Sequence, residues 1–305
     1  ATVESEQTAS TRAAYLGVIL IWSTTPLAIN WSSIGAGPLF GVASRMLLGA
    51  LLALAVIQLR RIPLPLHREA LKTYLAGGIP MFGAMSTVYL ASQYIPSGWI
   101  SVIFGLTPVI TGLMASLWLG ERAFTPAKSL GMALAFAGLV VMFKSGMILS
   151  DDAIWGVLGV LLSSSIHSGS AVLIKRVNAG LSGLAVTVGS LWVALPLFLG
   201  SWALFGQPMP ESLPARSLLG IVYLGIVGSV LGFSLYYHVL RHMEASKVAL
   251  ITLITPAGGL LIGNVLNAEP ISGEVAFGTG LIILGLAIYD LLPKLLKRRT
   301  KKSEV

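Results

Sequence analysis

The sequence has no cysteine and little charge: of 305 residues none is Cys and 10% are Asp, Glu, Lys or Arg, where a soluble domain carries about 25%. The first absence excludes disulfides and thiolate chemistry. The second excludes a soluble globular chain of this length, whose surface so few charges could not cover. Catalytic motifs are lacking too. No G-x-x-x-x-G-K-[ST] loop is present, which argues against ATP hydrolysis. His238 and His242 have a zinc-compatible spacing, but Val239 stands where H-E-x-x-H needs Glu, and Arg241 adjoins them. His167-Ser168-Gly169-Ser170 brings a base and hydroxyls together in sequence, yet neighbours do not supply the separated nucleophile, base and oxyanion donors of a hydrolase. The chain reads as no enzyme, with no metal and no cofactor.

What is there is apolar sequence, 55% of the chain, in runs too long and too little alternating for strands. A bilayer crossing takes about 20 such residues. Ten spans are expected, at 13–32, 38–58, 70–92, 97–119, 126–144, 153–174, 183–205, 217–240, 246–267 and 274–292, making an all-α membrane protein. The polar start, Ala1 to Thr11 with Glu4 and Glu6, is unlike a secretory signal, so the first span is read as a retained helix. With the N-terminus cytoplasmic, seventeen of the 20 Lys and Arg lie inside, Lys144 and Arg216 outside, and Arg45 within a span. Basic residues collect on the cytoplasmic side, so both termini are expected there, as in a bacterial-type inner membrane. The tail cluster Lys294 to Lys302 then rests on anionic lipid. The partners are the bilayer and a small-molecule substrate, with no nucleic acid; a monomer is compatible with the sequence.

Residues 89–121 overlay 237–269 at an offset of 148. Tyr89 falls on Tyr237, Thr107-Pro108 on Thr255-Pro256, and Glu121 on Glu269. Five spans per half is an odd number, so the halves enter the membrane from opposite sides. Residues 1–148 are expected to form the first five-helix repeat and 149–305 the second, an inverted pair of the kind that builds alternating-access transporters. Duplication also builds channels and scaffolds.

With these residues in place the chain resembles the drug/metabolite transporter superfamily, in its ten-helix EamA-like branch. The resemblance is carried by Trp22-Ser23, Arg45, Thr107-Pro108 through Gly120-Glu121-Arg122, Gly131 and Gly138, with second copies at Thr255-Pro256, Glu269, Gly278 and Gly285. It implies transport of small metabolites. Overall the chain is most similar to the YddG-type exporters of aromatic amino acids, although the sixth span lacks the counterpart of the first span's Trp22 and reads Ser163-Ser164-Ser165-Ile166-His167.

Several residues are candidates for the transport path. Trp22, Tyr89, Trp99, Phe104, Ser164, His167 and Trp192 together suit a mostly apolar ligand with a polar end. For Tyr89 and Trp99, near span ends, interfacial anchoring is the competing role, and for His167 it is a packed, hydrogen-bonded histidine. Arg45 lies seven residues into its span, roughly 10 Å deep at 1.5 Å per residue. It either neutralises a substrate carboxylate or locks helix-end carbonyls, and the resemblance favours the lock because such an Arg accompanies varied substrates. Pro26, Pro80, Pro108 and Pro256 fall within spans as hinges or static kinks. No Asp or Glu is placed at mid-membrane, so passive transport is expected over carboxylate-coupled proton antiport. The expected function is export of amino acids, aromatic ones first, and related metabolites. Proton-coupled export of other metabolites or drugs, a channel and an intramembrane enzyme are the alternatives.

Overall fold

In lipid, peptide groups have no water to bond, so a crossing chain must satisfy them internally, and the helix does this locally. The computed structural model shows only helices among its described residues. It describes residues 2–120, 125–232, 235, 239 and 245–293, with the backbone alone at 2–8, 119, 143, 146–149 and 245–250. In chain order these are α1 (Thr2–Ser32), α2 (Pro38–Leu59), α3 (Arg68–Ala91), α4 (Ser97–Phe104), α5 (Thr107–Leu119), α6 (Pro126–Leu149), α7 (Ala153–Val177), α8 (Gly183–Phe205) and α9 (Ala215–Tyr223). A π-helical stretch, Leu224–Leu231, continues α9; α10 (Ala245–Asn267) and α11 (Gly273–Asp290) follow. Glu121, Arg122, Tyr236, Tyr237, His238, Arg241, His242, Glu244 and residues 294–302 lie outside the described residues.

Helix starts follow local chemistry. Ser182 and Ser272 accept the N–H groups of Ala185 and Val275 at 3.2 Å, satisfying donors that a helix start leaves unpaired. Asn178 (φ 49) and Gly120 (φ 67) stop α7 and α5 in the left-handed region.

Six segments are long and apolar enough to cross a membrane: Ala9–Ser32, Pro38–Leu59, Ser97–Trp118, Ala153–Val177, Gly183–Phe205 and Gly273–Asp290. Pro126–Met142, Ala215–Leu231 and Ile251–Asn267 are shorter apolar helices. Counting α4 and α5 as one, the 24-residue α3 completes ten helical segments among the described residues. Their outward faces are apolar: Leu47 and Leu51 on α2, Leu158 and Leu162 on α7, and Phe277 and Leu284 on α11 are exposed, as lipid contact requires.

The fourth span departs from the expected continuous helix with Pro108 at its middle. It breaks at Gly105 and Leu106, and Pro108 lies in the first turn of α5, where a missing N–H costs nothing. Its sequence counterpart Pro256 stays inside a continuous α10. The two crossings meet here, because a Cβ on Gly105 would stand 2.8 Å from Pro256 Cγ.

Close packing in lipid depends on small residues. The antiparallel α6 and α11 touch backbone to backbone at two points: a Cβ on Gly131 would lie 2.5 Å from Gly285 O, and one on Gly138 would lie 2.4 Å from Gly278 O. Helix α3 packs on α7 and α8, α4 on α10, α1 on α9 and α10, α2 on α8 and the π stretch, and α5 on α7. Tyr89, Trp99, Ile103, Leu106, Met142 and Phe198 lie fully buried within the main core.

Candidate functional site

The serines of α7 hold helices together. Pro80 in α3 has no N–H, which frees the carbonyl of Ala76 one turn earlier. Ser170 Oγ donates to that oxygen at 2.8 Å, and Ser163 Oγ donates to Ala84 O at 2.6 Å. Pro108 likewise frees Phe104 O, and Thr107 Oγ1 donates to it at 2.6 Å. Thr107 has one hydroxyl proton, so in its 2.9 Å contact with Ser164 the serine is the donor. One turn on, Thr111 Oγ1 donates to Ser168 Oγ at 2.9 Å. Ser163, Ser164 and Ser168 are fully buried in this two-rung seam between α5 and α7 and its flank on α3.

Beside the seam lies a cleft of about 460 Å³ between α3, α5 and α7, lined by Ile79, Pro80, Gly83, Met114, Trp118, Ser165, Ile166, Gly169, Ser170 and Leu173. Across the molecule, Tyr223 joins Thr24 of α1 through their hydroxyls.

Arg45 is 7% exposed, and its Nε and Nη1 are buried without a hydrogen-bond partner. These two atoms therefore clasp no helix-end carbonyl. Space for the guanidinium comes from the π stretch, where a Cβ on Gly228 would stand 3.6 Å from Nη2. π-Helical turns recur at functional sites. An ion pair between Lys72 and Glu69, at 2.9 Å, lies on exposed side chains of α3.

The most elaborate polar cluster surrounds Glu269, in the turn between α10 and α11, where it is 9% exposed. Its Oε1 accepts from Ser97 N (3.1 Å), Ser97 Oγ (2.7 Å) and Asn267 Nδ2 (3.0 Å), and its Oε2 accepts from Gly98 N (3.0 Å). A carboxylate thus caps the N-terminus of α4 from another part of the chain. Each charge-assisted bond contributes about 1.5–3 kcal/mol net, and the helix dipole adds up to about 2. The preceding Ala268 holds φ 51, the left-handed region that a Cβ disfavours, so the turn carries strain that the cluster offsets. Asn264 Nδ2 donates to Glu269 O at 2.8 Å. Gly263 leaves the room: a Cβ there would lie 2.3 Å from Glu269 Oε2. Trp31 Nε1, at the end of α1, donates to Asn267 Oδ1 at 3.2 Å, and Arg216, at the start of α9, stacks 5.4 Å from the Trp31 ring centre.

Among the described residues, those expected to contact substrate lie in different surroundings. Tyr89 and Trp99 are 0% and 2% exposed in the main core, with Phe104 packed against it. Trp22 sits half-buried in a separate cluster with Val18 and Ile251. Trp192 is exposed on α8, His167 is exposed on α7, and Ser164 bonds Thr107. Pro26 lies inside α1, Pro80 inside α3 and Pro256 inside α10. In the sequence Glu269 marks the repeat, as the counterpart of Glu121, and is assigned no part in the site. Its matched place with Glu121 in the two halves was the available signal, but nothing local in the sequence points a loop carboxylate at Ser97.

The profile of the EamA-like transporter family matches the chain twice, over residues 13–144 and 154–289. The uncharacterized transporter YvbV of Bacillus subtilis is 29% identical over 305 residues, covering 95% of each chain. The uncharacterized inner membrane transporter YedA of Escherichia coli is 26% identical over 289 residues, 92% of each. A "Probable amino-acid metabolite efflux pump" of Escherichia coli is 25% identical over 281 residues, 89% of this chain and 91% of that one. A solved crystal structure with 23% identity superposes with a TM-score of 0.67, covering 93% of this chain and 98% of the other, and shares the fold.

Proposed function

Because this chain belongs to the EamA-like transporter family, we propose that it exports amino acids, aromatic ones first, by alternating access between two inverted five-helix repeats. The repeats are residues 1–148 and 149–305. The double family match supports a duplicated chain. So does the glycine crossing, since Gly131 and Gly138 correspond to Gly278 and Gly285, and each first glycine meets the other copy's second. That reciprocity is what a two-fold axis in the membrane plane produces. The bias of basic residues supports cytoplasmic termini in an inner membrane, and YedA is named an inner membrane transporter.

The observation that carries the substrate class is Arg45, a buried guanidinium with unpartnered Nε and Nη1. A charge at that depth faces a partner or a cavity, and a ligand carboxylate matches a guanidinium in shape and charge. The efflux pump's printed name points to the same class. Transport is passive, because the described carboxylates lie at helix ends and turns. The test is competition in proteoliposomes. Arg45→Gln is expected to raise the KM for phenylalanine about tenfold or more, as loss of a charge-assisted contact does. Inhibition by phenethylamine, which lacks the carboxylate, should change far less. Arg45→Lys keeps the charge without the fork and should fall between. Equal effects on both ligands would contradict the assignment.

A further inference from the structure

Alternating access requires that the membrane face holding the α10–α11 turn open and close, and this inference rests on that reading. Four helix ends meet at that face. Glu269 joins the α10–α11 turn to the start of α4 through Ser97 and Gly98. Asn267 ties the same carboxylate to Trp31 at the end of α1. Arg216 continues the chain of contacts to the start of α9.

We propose that Glu269 is the latch of the outer gate: its carboxylate clasps the N-terminus of α4 and holds α1, α4, α9 and α10 together at that face, and outward opening breaks this clasp. The chemistry suits a switch. Closed, the carboxylate has its acceptor sites filled by fixed donors. When the ends separate, water satisfies both the carboxylate and the freed N–H groups of Ser97 and Gly98. The closed state is thus held by a bond set that opening exchanges rather than strands. The left-handed Ala268 relaxes when Glu269 is released.

The cysteine-free chain makes the test direct. Ser101, one turn inside the latch and 5% exposed, is replaced by Cys and labelled from outside with a membrane-impermeant maleimide. Glu269→Gln in this background should accelerate labelling about ten- to hundredfold, the factor that one lost charge-assisted bond gives. Ser97→Ala, which removes one donor and keeps the carboxylate, should accelerate it by a smaller factor, and it decides the matter if the Glu269 variant does not fold. Unchanged labelling in both variants would overturn the latch. The readout needs no substrate, so a failed transport assay leaves it standing.

Discussion

Ser170 shows what its hydroxyl does only once the structure gives it a partner. In the sequence, Ser164 and His167 of the sixth span read as candidates for the transport path. The structure engages Ser163, Ser164 and Ser170 with groups on α3 and α5, and one target, Ala76 O, exists as a free acceptor because Pro80 lacks an N–H. Such a pairing spans 94 residues and leaves no local trace. Ser170→Ala should therefore lower stability by about 1–3 kcal/mol, the cost of a stranded buried acceptor, read as a drop in the thermal midpoint in detergent. Ser165→Ala, whose hydroxyl bonds Leu161 of its own helix, should cost visibly less, and equal costs would contradict this account of the seam. Arg45 was legible as a charge deep within a span; that Nε and Nη1 lack partners was not.

At the scale of elements, the spans were legible because length and apolarity are written in the chain. Expected and observed ends agree closely for α2, α8 and α10, which turn formers or charges bound. The break before α5 was not legible. Thr107-Pro108 and Thr255-Pro256 read alike, but Gly105, which lies against Pro256 across the crossing, stands where the second copy has Leu253. The π stretch escaped for a similar reason, since Ser229 Oγ bonding Leu224 O at 2.9 Å is a consequence of the widened turn. The glycine crossing carries a prediction. Gly138→Leu should separate α6 from α11 and abolish a monodisperse sample in size-exclusion chromatography, because the added atoms meet the Gly278 carbonyl. Gly280→Ala, on the same α11 with nothing within 4 Å of the new Cβ, should be tolerated or stabilise by up to about 1 kcal/mol. A well-behaved Gly138→Leu would remove the close approach from the account.

For the whole molecule, the proposed repeat organises contacts that otherwise look unrelated. Moving five spans along the chain turns the α1–α10 contact into that of α7 with α4 and α5, and the α3–α8 contact into that of α2 with α9 and the π stretch. The α6–α11, α4–α10 and α2–α8 contacts map onto themselves. A duplicated, inverted chain has this symmetry by construction, and the offset of 148 in the sequence already hinted at it. The site was far less legible than the fold, because a transport path is made by helices meeting across the repeat, and the residues picked from single spans scatter to core, seam and surface. Orientation is open to a simple check. A cysteine at Asp152 should react with an impermeant maleimide on intact cells, and one at Asn178 only after permeabilisation; the reverse pattern would invert the topology.

The central claim, a passive alternating-access carrier of amino acids, is tested most directly by counterflow. Proteoliposomes loaded with unlabelled phenylalanine are diluted into a trace of radiolabelled phenylalanine, with and without an imposed pH gradient. The account predicts a transient, saturable accumulation of label that tryptophan competes and the pH gradient leaves unchanged. Accumulation that follows the pH gradient, or label that only equilibrates without overshoot as through a channel, would contradict it.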